Sequence, residues 1–396
     1  MKKILVMGAG TYQLPLIKKV KELGYKAIVV SPLGDYPGLD LADEVVNLDT
    51  RDHIAVLKNA RRIGIDAVVT AGTDVAVPTI GYLVDELGLN GTGYLAAKRS
   101  MDKELMKQCF TEHGVQTAQF FVVRTIEELK LRANEIGFPV MVKAVDSSGS
   151  RGITQALSFK NLDAAFFEAK AVSRSENVIV EQYLNGLEIG AQAVVIGDDV
   201  VEVFLHSDEI TPPPISTPVG HSIPLNLTND LEMRTKALVR DAVKAVGIRD
   251  TISNVDIIIV DNEPFIIEIG ARMGATCLAE NISIFAGFNA YEFILKIALG
   301  QEPRLPAEYK KQANAALLLR VNKTGKVRNI YLPQSTKKHT NLVEVVVDVK
   351  VGDYVSDFNI GPDRVGHIIV KANTRQEANY LVKDLAKSIV FDIESE

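Results

Sequence analysis

The chain has 396 residues, a formal net charge of −6, and 47% hydrophobic against 24% charged residues. That length implies roughly two or three domains with material for a large core. No basic run stands out, which argues against nucleic-acid and membrane-surface partners, and Cys109 and Cys277 lie far apart in no CxxC pattern, as in a reducing, cytoplasmic setting.

Lys3–Met7 reads as a first buried strand; the apolar run there stops at Gly8, too short for the core of a signal peptide. No stretch approaches the roughly 18 apolar residues of a membrane span. Helix Leu14–Leu23, strand Lys26–Val30, helix Ile54–Ile63 and strand Ala67–Thr70 follow, an alternation that predicts βαβ units and a parallel sheet. Gly8-Ala9-Gly10 after the first strand invites a dinucleotide-binding assignment. The third glycine position is Gln13 and the next strand ends in Ser31 rather than an acid, so a nicotinamide dehydrogenase is disfavoured. Asp74, in TAGTDVAVP, follows a strand's C-terminal end, where such sheets place substrates; a helix N-cap is the competing reading.

A helix from Met101 to Gly114 carries Lys103 in its first turn, by itself a surface lysine. Strands Phe120–Val123 and Val140–Ala144 flank a helix over Thr125–Ile136. In PVMVKAVDSSGSRGI, Lys143 sits at the end of a strand and Ser147, Ser148, Gly149, Ser150, Arg151 and Gly152 follow as a loop rich in backbone N–H and hydroxyl donors. Such a loop can close over phosphates, its glycines permitting close backbone approach. It is not a Walker A loop, because the lysine precedes the glycines and no GK[ST] follows. A serine-glycine turn alone is only a turn; the lysine on the preceding strand is what points to phosphate. Asn177–Gln182 and Gly190–Ile196 are further strands, with Val200–His206 set to pair with the latter. Glu181 ends one strand and Glu188 follows seven residues later, on their own two exposed acids. Thr211–Pro218 is a proline-rich loop and Leu231–Val246 an amphipathic helix.

NVDIIIVDNEPFIIEIGARMG, Asn254 to Gly274, reads as a hairpin of strands Val255–Val260 and Pro264–Ile269 about the turn Asp261-Asn262-Glu263. Folded about Asn262, it sets Ile258 opposite Ile266, Val260 opposite Pro264, and Asp256 opposite Glu268. Like charges so placed are destabilising. Ile257, Ile259, Phe265, Ile267 and Ile269 form a core face, and the other face is also apolar apart from the two acids. Two carboxylates there need a cation or a shared proton, and Mg²⁺ with substrate phosphates is the natural fit. A helix through Phe293–Leu299 comes next, and Pro303–Pro306 is the expected domain boundary. Beyond it the chain turns β-rich, with Ala315–Val321, Leu342–Lys350 and Gly366–Lys371, and closes on a helix over Arg375–Ile389.

Taken in order, Lys103, Lys143 before its loop, Glu181, Glu188, Asp256, Glu268 and Arg272 resemble the pattern of the ATP-grasp ligases over nearly the whole chain. The resemblance implies an α/β and α+β multidomain fold. A Rossmann-like N-terminal domain (1–96) precedes a two-lobed ATP-grasp domain (97–306) with a mobile lid lobe near 118–187, and a β-rich C-terminal lobe (307–396) follows. It implies ATP and Mg²⁺ or Mn²⁺ as cofactors. Lys103 and Lys143 would contact phosphates, Ser147 to Gly152 would form the lid loop, and Glu181, Gln182, Tyr183 and Leu184 the hinge that reads adenine. Glu188 would bind ribose hydroxyls, Asp256 and Glu268 the metal, and Arg272 would steady the transferring phosphoryl group or the acyl phosphate. One departure stands out: many members carry Asn two residues after the second acid, and this chain has Gly270.

ITPPPISTPVGHSIP, Ile210 to Pro224, resembles the proline-rich segment ending in Gly-His of members that join amino acids, which makes His221 a candidate to orient substrate or act as general base. IEIGARMGA (Ile267–Ala275), VKVGDYV (Val349–Val355) and DRVGHIIVKANTRQEA (Asp363–Ala378) look like the same branch. The expectation is therefore a carboxylate–amine ligase that forms an amide or peptide bond through an acyl phosphate, with at least one amino-acid substrate among small-molecule partners; a homodimer is the expected assembly. The rivals are a carboxylase using bicarbonate and a nucleotide-binding protein without ligase activity. Six scattered histidines form no HxxxH-type pair, so a metal hydrolase is disfavoured.

Overall fold

A computed structural model describes residues 1–149, 151–212 and 217–394. The chain packs into two compact units, one of Met1–Phe204, Leu227–Gly274 and Tyr291–Pro303, the other of Leu205–Asn226, Ala275–Ala290 and Arg304–Glu396.

The first unit opens with the predicted parallel sheet. Lys3–Met7 lies between Lys26–Ser31 and Ala67–Val69, with Glu44–Asn47 at the edge. Leu5, Met7, Ile28, Val30 and Val68 share a buried core with Val56, Leu57 and Ala60 of helix His53–Ile63. Asp52 caps that helix by accepting from Ala55 N. The segment after Ala67–Val69 continues into helix Val77–Leu87, which has Pro78 in its first turn. Its N-cap is Ala76, without a side-chain cap bond, so Asp74 is not a helix cap.

A second sheet of the same unit is antiparallel, in the order Phe120–Val123, Val178–Gln182, Val140–Ala144, Ile153–Ala156. Leu129 and Ala133 of helix Ile126–Ile136 and Leu162, Ala165 and Phe166 of helix Phe159–Val172 bury its inner face. Thr125 starts the first of these helices through a capping box with Glu128. The helix predicted from Met101 to Gly114 is Lys103–Glu112, and a separate helix, Tyr94–Met101, precedes it. Asp102 divides the two: its backbone is extended and its carboxylate accepts from Glu104 N and Leu105 N. The helix expected through Phe293–Leu299 is Ala290–Ala298.

Leu187–Ile196, Thr251–Val260 and Glu263–Gly270 form a third antiparallel array in this unit. The hairpin differs from its expected register. Asp261 and Asn262 both take positive φ, 50° and 64°, so a two-residue turn sets Val260 opposite Glu263. Ile258 then faces Phe265 and Ile257 faces Ile266; a bulge at Ile267 restores the expected pairing of Asp256 with Glu268. The buried face therefore holds Val255, Ile257, Ile259, Pro264, Ile266 and Ile269, while Phe265 and Ile267 are only half-buried.

In the second unit the latter half of Asp199–Ile210 pairs with Pro218–Ile223, and the order continues through Asn314–Leu319, Gly366–Lys371 and Leu342–Val347, all antiparallel. Val382 and Leu385 of helix Arg375–Ser388 pack on this sheet with Ile368 and Val370. Among the described residues no helix is long and apolar enough to cross a membrane.

Candidate active site

The Asp102 cap starts helix Lys103–Glu112 with Lys103, and Lys107 stands one turn further on the same face. Both point inward. Lys103 Nζ donates to Ser147 O at 2.7 Å and lies 3.2 Å from Glu268 Oε1. Lys107 Nζ donates to Thr117 Oγ1 at 2.6 Å and lies 3.0 Å from Glu181 Oε2. Lys143, near the end of strand Val140–Ala144, pairs with the other oxygen of the same carboxylate. Lys107 is 1% exposed and Glu181 2%. Glu181 is thus not one of two exposed acids: it is sunk between two ammonium groups, and only Glu188 is exposed.

Burial pushes Glu181's carboxyl up, and Lys107 and Lys143 outweigh it, bringing it down to about 2. Burial holds Lys107 below the ordinary lysine range even beside that carboxylate. The desolvation cost falls on the lysine and the attraction shows on the acid. Two cations around one anion leave local positive charge, which suits a phosphate chain. Lys107 escaped the sequence reading, although its spacing of four from Lys103 was the signal that could have found it.

The loop after Lys143 is tied at both ends, by Lys103 N to Val145 O at 2.8 Å and Ala144 N to Gly152 O at 2.9 Å. Ser147 is buried, Ser148 half-buried, Gly149 and Arg151 exposed. Gly152 has a positive φ of 66°, and a Cβ there would meet Val172 Cγ2 at 2.4 Å, so backbone and packing both demand glycine. Arg151 Nε donates to Ser148 O at 3.2 Å. Ser150 lies outside the described residues, as do residues 213–216 of the proline-rich segment. In the predicted hinge, Gln182 is exposed, Tyr183 half-buried and Leu184 buried. Gln182 N donates to Gln119 O at 2.8 Å, and Glu188 pairs in register with Ile258.

Asp256 and Glu268 face each other as expected, but that face is not covered: Asp256 is exposed and the Glu268 side chain 32% exposed. A ligand can therefore reach both. Asn254 Nδ2 donates to Asp256 Oδ1 at 2.9 Å, and Gln192, fully buried, donates to Asn254 Oδ1 at 2.6 Å. This amide chain orients the carboxylate and had no signal in the sequence beyond two polar residues in apolar strands. Arg272 pairs with Asp74 at 2.7 Å through one Nη. Among the described residues, its buried Nε and other Nη have no partner. Burial works against its charge; Asp74 first, then Asp256 and Glu268, outweigh it and hold the proton more firmly. Unpaired buried guanidinium donors are costly unless an anion fills them. Opposed carboxylate oxygens fit a hard divalent cation, and the lysines and Arg272 fit phosphate, so these residues suit a metal–nucleotide pair. The Cβ that Gly270 lacks would lie 3.6 Å from both Asp74 Oδ1 and Arg272 Cζ.

His221 belongs to the second unit, on strand Pro218–Ile223, and is 6% exposed. Its Nδ1 lies 2.6 Å from Asp208 Oδ1 on the neighbouring strand.

Residues 317–394 match the family model described as L-amino acid ligase C-terminal domain 2, and residues 101–210 match the Phosphoribosylglycinamide synthetase, ATP-grasp (A) domain. A solved phosphoribosylglycinamide synthetase from Anaerococcus prevotii is 32% identical, with 99% of this chain and 100% of that chain covered and a TM-score of 0.84. A solved L-amino acid ligase from Bacillus licheniformis is 18% identical, with 100% and 99% covered and a TM-score of 0.85. The D-alanine–D-alanine ligase of Ralstonia pickettii (strain 12J) is 28% identical over 244 residues, 58% of this chain and 72% of that protein.

Proposed function

Since the chain belongs to the ATP-grasp family of ligases, we propose that it activates an amino-acid carboxylate with ATP and joins it to an amine. It is an ATP- and divalent-metal-dependent, carbon–nitrogen bond-forming, ADP-producing enzyme on small-molecule substrates. The observation that carries the reading is the opposed pair Asp256 and Glu268, reachable by ligand, with Lys103 on Glu268.

A carboxylate is a poor electrophile. A substrate carboxylate oxygen attacks the γ-phosphorus, the β–γ bridging bond breaks, and ADP leaves. The amine then attacks the acyl carbon; the C–N bond forms as the C–O bond to phosphate breaks. Asp256 and Glu268 would hold magnesium or manganese, which would supply neutralising charge at the phosphates. Lys103 and Lys143 contact the phosphates, Lys143 exchanging its bond to Glu181 for one to the nucleotide. Arg272 steadies the transferring group through the donors that Asp74 leaves unfilled. Residues 118–187 act as the lid lobe, and the loop Ser147 to Gly152 keeps water from the acyl phosphate. Glu181's side chain keeps Lys107 when Lys143 turns to the nucleotide, so adenine is read by Gln182, Tyr183 and Leu184, and ribose by Glu188. His221 serves the substrate as orienting group or base. Domains at 1–96, 97–306 and 307–396 and a homodimer complete the reading. Two buried, unpaired cysteines support a reducing, cytoplasmic setting.

The test is ADP release with Mg-ATP against single amino acids and amino-acid pairs, with Glu268→Gln as background. Turnover that requires a particular pair establishes the ligase and names its substrates. Turnover with bicarbonate alone would replace it with a carboxylase, and ATP binding without turnover with a binding protein.

A further inference from the structure

Three strands of the first unit set Gln192, Asn254 and Gly270 side by side: Asn254, on the middle strand, pairs in register with Gln192 on one side and Gly270 on the other. The next row on the same face, two residues along, is Gly190, Asp256 and Glu268. The two carboxamides thus stand beside the two acids. Gln192 is fully buried and Asn254 half-buried. Gly274 N donates to Gln192 Oε1 at 2.9 Å, Gln192 Nε2 to Asn254 Oδ1 at 2.6 Å, and Asn254 Nδ2 to Asp256 Oδ1 at 2.9 Å. We infer that Gln192 and Asn254 are positioning residues that act as one relay: they hold Asp256 Oδ1 as an acceptor, in fixed relation to the backbone that carries Arg272, and so set that carboxylate for a divalent cation. This rests on the metal reading of Asp256 and Glu268 above and goes beyond it in naming what fixes the direction of the hydrogen bonds there.

The direction is set at the far end of the relay. A backbone N–H only donates, so the Gln192 atom that faces Gly274 is the oxygen. Nε2 is then turned to Asn254, and it also donates to Ala191 O at 3.1 Å. Reversing Gln192 would set N–H against N–H at Gly274 and oxygen against oxygen at Ala191. Asn254 therefore gives its oxygen to Gln192 and its nitrogen to Asp256. That decides between two roles for a carboxamide beside a metal-binding acid. With its oxygen turned to Asp256 it would be a further metal donor. With its nitrogen there it has no lone pair to offer a metal, and it orients the carboxylate instead. Hydrogen bonds of this kind to a ligating carboxylate are worth about 10- to 100-fold in metal affinity.

The relay also brackets Arg272. Asn254 N donates to Arg272 O at 3.0 Å, and Gln192 takes the N–H of Gly274, two residues on. Two residues before, Ser253 Oγ donates to Gly270 O at 2.8 Å. The strand that carries Asp256 thereby fixes the backbone on both sides of the arginine.

The experiment measures Mn²⁺ affinity by electron paramagnetic resonance, with a non-hydrolysable ATP analogue present. The full chain is compared as wild type, Asn254→Ala, Gln192→Met and the double variant, with circular dichroism to check folding. Gln192 is fully buried, so Asn254→Ala carries the test alone if Gln192→Met does not fold. Each single variant is expected to bind Mn²⁺ about 10- to 100-fold more weakly. The double variant should bind no more weakly than the weaker single one, because one relay is broken only once. Wild-type affinity in Asn254→Ala would overturn the inference. So would losses that add in the double variant, which mark two independent packing defects. Mn²⁺ bound by Glu268→Gln as tightly as by wild type would overturn the metal reading on which the relay rests.

Discussion

Replacing Glu181 by Gln removes the carboxylate shared by two buried ammonium groups, and its effect can be worked from the site. The carboxyl stands at about 2 against an ordinary 4.5. A drop of that size corresponds to about 3 kcal/mol, at roughly 1.4 kcal/mol per unit. The folded pKa lies below the unfolded one. The contribution is therefore complete above about pH 4.5 and is lost as the pH falls through about 2. Glu181→Gln should be less stable than wild type by about 3 kcal/mol at pH 7 and should lack that acid-dependent loss. Both proteins should gain stability as pH rises toward the alkaline side, the variant more steeply because burial then acts on Lys107 without Glu181's opposing charge. Lys107 is held below its ordinary range, so the unfolded chain binds more protons over that window. The chain has no Trp, so urea unfolding followed by circular dichroism from pH 3 to pH 9 is the assay. Parallel pH profiles for the two proteins would refute the reasoning, because they would mean that Glu181 titrates alike folded and unfolded.

Other consequences follow from the same site. Glu268→Gln should abolish ADP production while leaving the circular dichroism spectrum unchanged; unaltered ADP release would remove Glu268 from the metal site. Gly270→Asn should fold normally, because its Cβ meets nothing nearer than 3.6 Å, and should lower the Mg²⁺ concentration needed for half-maximal turnover. An unshifted Mg²⁺ titration would show that the metal lacks no donor there. Asp74→Ala takes a charged partner from Arg272 at 2.7 Å. A loss of about 1.5–3 kcal/mol in positioning should raise a substrate KM roughly tenfold or more, and a wild-type KM would sink the role of Asp74.

Periodicity and turn chemistry act over a few residues, so the sequence alone determined most elements of this protein: the strands Lys3–Met7, Phe120–Val123, Val140–Ala144 and Gly366–Lys371 run as read. The pairing of Asp256 with Glu268 was legible for the same reason, being set within one hairpin. Even there the two-residue turn and the bulge at Ile267 were not, because the left-handed turn at Asp261-Asn262 and the bulge shift the register in compensating ways. Burial and charge partners are settled by which distant elements meet. Glu181 read as an exposed acid until helix Lys103–Glu112 brought Lys107 beneath it. Arg272 was singled out from its position after Glu268, but its partner Asp74 lies some two hundred residues earlier. Asp208, an unremarked acid in a strand, became the partner of His221 only through strand pairing. Backbone pattern is local physics and is written along the chain. Buried charges must be neutralised by whatever group packs against them, and that choice exists only in the folded structure.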